Sequence, residues 1–497
     1  MGLLSLIVFV PLIGALSMLF LKDDARGRDS ARWLATAFSA VPLVLSGWLY
    51  FDFDTASPAM QYLEKLRWIP AFNIHYSVGV DGLSLPLVIL TALLSFVAVV
   101  ASFGIEHRVR EYFFWFLALE CGMLGVFVAQ DFFLFYVFWE VTLVPMYFLI
   151  GIWGGPKKEY AAIKFFLYTL AGSVFLLLGM LALYFAGEIR TFDFVELAQQ
   201  SRGMAMGMQI LIFLALYVGF AVKIPAFPFH TWLPLAHVEA PTAVSVILAG
   251  VLLKMGVYGL LRVSFPILPQ ATQWFIYPMT VIAFINIVYG AFCAMAQKDM
   301  KRMVAYSSIN HMGYCLLGMA ALTGVNAAAG LSGAVLQMVT HGIITGSLFL
   351  LVGVLYDRAH TRDIDQFGGL GAKLPVYTGI MTVQVMASLG LPGLAGFVSE
   401  FLCFLGAFEQ ASLRLWVALS VIGILITAAF FLKLIKDVFL GEFNAKWEGV
   451  LSDMTPREIF ATAPLLLLTF LIGVYPRAAL RLMDVTMNDL IRRVLGG

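Results

Sequence analysis

The chain has 497 residues, 61% of them hydrophobic and only 12% charged, with a formal net charge of +1. Soluble domains carry roughly 25% charged residues, so a soluble enzyme or regulatory domain is excluded and a polytopic membrane protein is expected. Near-neutrality without a long basic run excludes nucleic acid or an acidic substrate as the natural partner.

The chain opens MGLLSLIVFVPLIGALSMLFLKDD. Its apolar run is long enough to span, and it lacks a positive leading segment and a small-residue cleavage site, so it reads as a retained first helix. Stretches able to cover about 20 apolar residues follow at 2–21, 33–51, 82–105, 112–129, 131–152, 160–186, 208–229, 241–262, 274–296, 303–321, 331–356, 377–408, 414–435 and 459–477. These predict fourteen transmembrane helices. Cys121, Cys293, Cys315 and Cys403 all fall inside apolar segments without paired spacing, so no disulfide framework, metal site or iron–sulfur centre is expected. Any electron-transfer centre then belongs to another chain.

Lysine and arginine sort by loop. Odd-numbered loops hold Lys22, Arg26, Arg28, Arg32, Arg108, Arg110, Lys157, Lys158, Lys298, Lys301, Arg302, Arg358, Arg362, Lys373, Lys436, Lys446 and Arg457. Even-numbered loops hold only Lys65, Arg67, Arg190, Arg202, Arg262 and Arg414. Both termini are therefore expected to face away from the cytoplasm.

Three spans are predicted to be broken. The seventh carries Pro225 and Pro228, each of which removes a backbone donor and clashes with the carbonyl four residues back. The twelfth combines Pro392 with Gly390, Gly393 and Gly396, and the eleventh has a weaker breaker at His341-Gly342 and Gly346. Breaks five helices apart, in the seventh and twelfth spans, match two five-helix repeats (spans 4–8 and 9–13) of inverted topology. The expected architecture is one all-α membrane domain: N-terminal helices within 1–111, repeats at 112–262 and 274–435, and a last helix with a short tail at 459–497.

Ionisable groups inside these spans cost roughly 2.5–3.5 kcal/mol each at mid-depth, so they persist where a site or an ion path requires them. Lys254 stands thirteen residues after Pro241 in an otherwise apolar segment with no breaker beside it, Lys223 precedes Pro225 by two residues, and Glu140 and Glu400 lie well inside the fifth and twelfth spans. Glu120 and Lys164 are secondary candidates, together with His230, His237, His311 and His341, which titrate near neutral pH. Burial disfavours the charged form of either group and a nearby opposite charge restores it. A change in the Glu140–Lys223 distance would thus alter how tightly the lysine holds its proton.

At KIPAFPFHTWLPLAHVEAPTAVSVILAGVLLKMGVYGLLR (223–262) the chain resembles the proton-translocating family shared by the antiporter-like subunits of respiratory complex I and Mrp-type cation/proton antiporters. FWEVTLVPMYFLIGIWG (138–154), DMKRMVAYSSINHMGY (299–314) and LGLPGLAGFVSEF (389–401) extend the resemblance over nearly the whole chain. Glu400 stands where most branches of the family have lysine, which makes the chain most similar to the M-type branch. The resemblance implies that Glu140 partners Lys223, that Lys254 is the central relay, that Glu400 ends the path, and that His230, His311 and His341 lie near half-channels. Many relatives have an acid where this chain has Leu235, which weakens a role for His230 and His237 in proton uptake. It further implies a subunit of NADH:quinone oxidoreductase in a bacterial inner membrane, beside L-type and N-type chains. Such a subunit moves protons driven by quinone reduction elsewhere and itself binds no NADH, flavin, quinone or metal. The alternatives are a subunit of a Mrp-type antiporter or membrane-bound hydrogenase, and a scaffold subunit with a silent channel.

Overall fold

A computed structural model describes residues 2–496. The protein is a helical membrane bundle in which eleven helices, among the described residues, are long and apolar enough to cross a bilayer. The remaining expected spans are the shorter Leu3–Met18, the more polar Met300–Met319, and the divided pair Pro375–Ser388 and Ala395–Phe408. Burial separates centre from rim. The apolar windows of Thr242–Ile267 and Ala327–Ala359 are 100% and 94% buried, whereas those of Lys158–Ala186 and Arg414–Phe439 are each 39% buried. Polar groups on the two central helices therefore face protein, and the outer helices present their apolar side chains to lipid.

The loops gather by parity. Even-numbered loops meet through bridges Val78↔Ala129 and Asp131↔Asp193. Odd-numbered loops meet through the bridge Asp299↔Asp363 and through the bond from the Gly155 N–H to the Glu239 carbonyl. Alternate loops thus lie at opposite ends of the bundle.

The seventh span stops at Lys223 and resumes as Trp232–Glu239. The break is satisfied locally, as a low-dielectric interior demands: the Trp232 indole donates to the Val222 carbonyl (2.9 Å), and Asn286 accepts from the Phe227 N–H (2.8 Å). In the twelfth, Gly390 and Gly393 take φ of +82° and +91° between the two half-helices, a region costly for other residues.

The eleventh span corrects its expectation. Ala327–Ala359 is one continuous helix through His341 and Gly342. A single glycine costs a helix only about 1 kcal/mol, and Gly342 has a packing role instead: a Cβ there would stand 2.9 Å from the Gly250 carbonyl oxygen and 2.8 Å from Leu90 Cδ2. Irregularity lies instead on the helix that showed no breaker, where π turns at Leu248–Leu252 and Leu260–Ser264 flank Lys254. Such π turns often mark functional sites.

Two elements lie outside the helical expectation. An antiparallel hairpin, Gln61–Ile69 and Ile74–Val80, turns at Asn73 with φ +54° and covers the even-loop end. Its Glu64 accepts from the N–H groups of Leu4 (2.9 Å) and Ser5 (3.2 Å), a carboxylate at the positive end of the first helix. The tail forms an amphipathic helix, Arg477–Leu495, whose buried stripe (Leu482, Met483, Thr486, Met487, Leu490, Val494) rests on the bundle. The Gly82 N–H donates to Thr486 Oγ1 at 3.1 Å, joining tail and hairpin region.

Candidate functional site

Four groups from four helices make one buried line. Lys254 Nζ donates to the Ala249 carbonyl, a partner one π turn back, and lies 2.6 Å from His341 Nδ1. The rings of His341 and His311 stand 5.4 Å apart between centroids. His311 Nδ1 is 3.2 Å from Glu400 Oε1, and its Nε2 is 3.0 Å from Ser388 Oγ. Lys254 is fully buried and His341, His311 and Glu400 are almost so.

Local sequence explains the placement. The close approach of Gly342 to Gly250 lets the two central helices touch, which brings Lys254 to His341. The glycine turn of the twelfth span lays the Glu400 carboxylate over Gly390, whose Cβ position is 3.0 Å from Glu400 Oε2. Supporting polar groups fill the remaining space: Ser399 Oγ donates to Gln337 Oε1 (2.5 Å), and Thr340 and Ser399 hydroxyls are 2.9 Å apart. A cavity of about 10 Å³ among His311, Gln337, His341, Ser388 and Glu400 is at the lower limit for one water. Gly342→Val should therefore weaken the assembled protein by about 1–3 kcal/mol through overpacking and draw His341 off Lys254. Gly346→Ala, whose nearest neighbours are movable side chains at 3.3–3.4 Å, should do neither. Thermal unfolding of the two variants checks this.

A second cluster surrounds Lys223. Its ammonium sits 4.7 Å from the Trp139 ring centroid, a cation–π distance, and 3.3 Å from Thr142 Oγ1. Both neighbours flank Glu140 in sequence. The fifth span kinks between Phe132–Val141 and Leu143–Trp153, because Pro145 leaves the carbonyl four residues back without its donor. The structure brings Lys223 beside the Glu140 segment without a direct ion pair. Glu140 is half-buried, with Oε1 enclosed and unpartnered.

The other candidates are dispersed. Glu120 is fully buried with neither carboxylate oxygen partnered. His237 is also fully buried with both ring nitrogens unpartnered, stacked on Phe349 at 4.5 Å. His230 packs against Tyr289 at 5.2 Å. Lys164 is partly exposed and lies 5.8 Å from the Tyr168 ring centroid, a rim position.

Lys301 corrects an expectation. Placed in a loop by its charge, it is 4% exposed and donates to the Ala240 carbonyl. Sequence reading also passed over Gln337, Thr340, Ser388 and Ser399. Gln337 stands one turn before His341 and so shares its face, a spacing that marks it.

The family model described as NADH:quinone oxidoreductase/Mrp antiporter, transmembrane, matches residues 129–427. The NADH-quinone oxidoreductase subunit M of Rickettsia conorii is 40% identical over 98% of this chain and 98% of its own length. That of Rhodobacter capsulatus is 44% identical over 99% of this chain and 96% of its own. A chain of respiratory complex I from Thermus thermophilus superposes with a TM-score of 0.89 at 28% identity, over 99% of this chain and all of that one. A chain of the Mrp complex from Dietzia shares the fold, with a TM-score of 0.86 at 21% identity over 99% of each chain. Motifs, fold and relatives agree, and the chain belongs to the NADH:quinone oxidoreductase/Mrp antiporter transmembrane family.

Proposed function

We propose that this chain is the M-type membrane subunit of a bacterial NADH:quinone oxidoreductase and carries protons across the inner membrane along Lys254, His341, His311 and Glu400, with Glu140 and Lys223 as the charge pair that sets the relay. The observation that carries this reading is the 2.6 Å approach of Lys254 Nζ to His341 Nδ1 inside a buried line ending on a carboxylate. While Lys254 is an ammonium it donates to Nδ1, so the neutral ring carries its hydrogen on Nε2. A proton received at Nδ1 leaves from Nε2, which is buried and otherwise unpartnered, into the small cavity that His341 shares with His311, Ser388 and Glu400, where the Ser388 hydroxyl hands it to His311 Nε2. His311 joins that step to Glu400 through Nδ1, and Ser388 orients the ring through Nε2.

Glu140 and Lys223 act on the line electrostatically. Moving one charge against 100 mV costs about 2.3 kcal/mol, and bringing a carboxylate nearer to or farther from a buried ammonium acts on that scale. Residues 112–262 and 274–435 serve as the two inverted repeats, each opened by its broken helix, with 1–111 and 459–497 flanking them. Both termini face the periplasm, and L-type and N-type chains are the neighbours. The chain holds no redox centre, so quinone reduction in partner subunits drives it.

The test is the assembled complex with His341→Gln, which keeps a hydrogen-bonding side chain of similar reach but cannot take up a proton. In proteoliposomes, NADH-driven acidification should be lost while the complex remains assembled. Undiminished pumping would contradict the relay.

A further inference from the structure

Buried polar groups also gather beyond Lys254, on the side away from His341. Lys254 and Tyr258 are one α turn apart in Leu253–Gly259, and Arg262 follows in the next turn, so the three share a face. Arg262 stands about 12 Å along the axis from Lys254. Past it opens a cavity of about 290 Å³ at the even-loop end, lined by Asp81, Arg262, Lys65, Gln130, Asp193 and Arg493 among others.

Arg262 closes the inner wall of that cavity. Its Nη2 donates to Asp81 Oδ1 at 2.5 Å and its Nε to Tyr258 Oη at 3.2 Å. The Tyr258 hydroxyl spends its own hydrogen on the Phe127 carbonyl at 2.9 Å. The Leu83 and Ser84 N–H groups hold the Asp81 carboxylate in place, at 3.0 and 3.1 Å. None of these groups has a part in the line from Lys254 to Glu400.

We infer that Arg262, held by Asp81 and Tyr258, is an electrostatic plug that stops protons in the even-loop cavity from reaching Lys254. A guanidinium does not lose its proton in a protein, so it can neither relay one nor become neutral. A fixed cation at a narrow, low-dielectric wall repels an incoming hydronium, as basic residues do in pores that exclude protons. Tyr258 ends the hydrogen-bonded line as well, because its single hydrogen points to a carbonyl that cannot pass a proton on. A buried ion pair is weak evidence for added stability, whereas a leak barrier needs charge at this point. The inference rests on the proposed role of Lys254 as a proton carrier.

The experiment uses the assembled complex in proteoliposomes without NADH, measuring passive proton uptake under an imposed potential. Two variants remove the cation: Arg262→Gln with Asp81→Asn, which leaves no unpaired buried charge, and Arg262→Met, in which the Leu83 and Ser84 N–H groups still hold Asp81. Either should raise passive uptake several-fold while NADH-driven quinone reduction continues, and Arg262→Lys should stay tight. Adding Lys254→Met should abolish the leak. Wild-type tightness in either assembled cation-less variant overturns the plug, and so does a leak that survives Lys254→Met. Failure of the relay itself would appear separately, as continued pumping by Lys254 variants.

Discussion

Replacing Glu140 by glutamine is expected to abolish proton pumping in an otherwise assembled complex and, where coupling is tight, most quinone reduction with it. Lys223 is buried between the Trp139 ring and the Thr142 hydroxyl, and neither supplies a negative charge. On the proposed reading, Glu140, between them in sequence, is the carboxylate that stabilises the ammonium. An opposite charge nearby changes a buried group's proton affinity by about tenfold to a thousandfold, enough to stop a relay that depends on it. Glu140→Asp keeps the charge on a shorter arm and should retain part of the activity. No direct ion pair joins the two groups in the structure, and the Thr142 hydroxyl at the kink touches the ammonium at 3.3 Å. The measurement is NADH-driven acidification beside NADH–quinone reductase rate for the glutamine and aspartate variants. Near-normal pumping by the glutamine form contradicts the pairing.

The helical class, the two main breaks and the placement of Lys254 and Glu400 were legible in the sequence, because hydrocarbon length, proline chemistry and the cost of intramembrane charge leave direct marks. Pro225 and Pro392 broke their spans as expected, whereas Gly342 did not, since glycine permits a break without forcing one. The π turns around Lys254 carry no composition signal; they follow from packing of a fully buried helix against its neighbours. The hairpin was legible and passed over: β-branched and aromatic residues recur on both sides of Pro70–Phe72 and Asn73, a strand–turn–strand pattern. The tail helix was hidden because its apolar stripe is too narrow for a span, although a four-residue recurrence marks it. Lys301 misled because charge alone assigned it to a loop. The bond between Lys254 and His341, residues 87 apart in sequence, is a tertiary fact that no local pattern contains.

Lys254 carries the central claim. The proposed relay requires it to pass between ammonium and amine at each turnover, and its single short contact to a protonatable ring is with His341 Nδ1. Arginine keeps the positive charge and can reach a similar depth, but it does not release its proton. A residue that only anchors the fold would tolerate that exchange and would be hurt by alanine, which leaves His341 without its partner and opens space in a wholly buried helix. A residue that relays protons fails with either. The deciding measurement is NADH-driven proton pumping by the Lys254→Arg complex in proteoliposomes, normalised to the amount of assembled complex. The relay requires an assembled enzyme that does not pump, and an assembled Lys254→Arg enzyme pumping at the wild-type rate would contradict it.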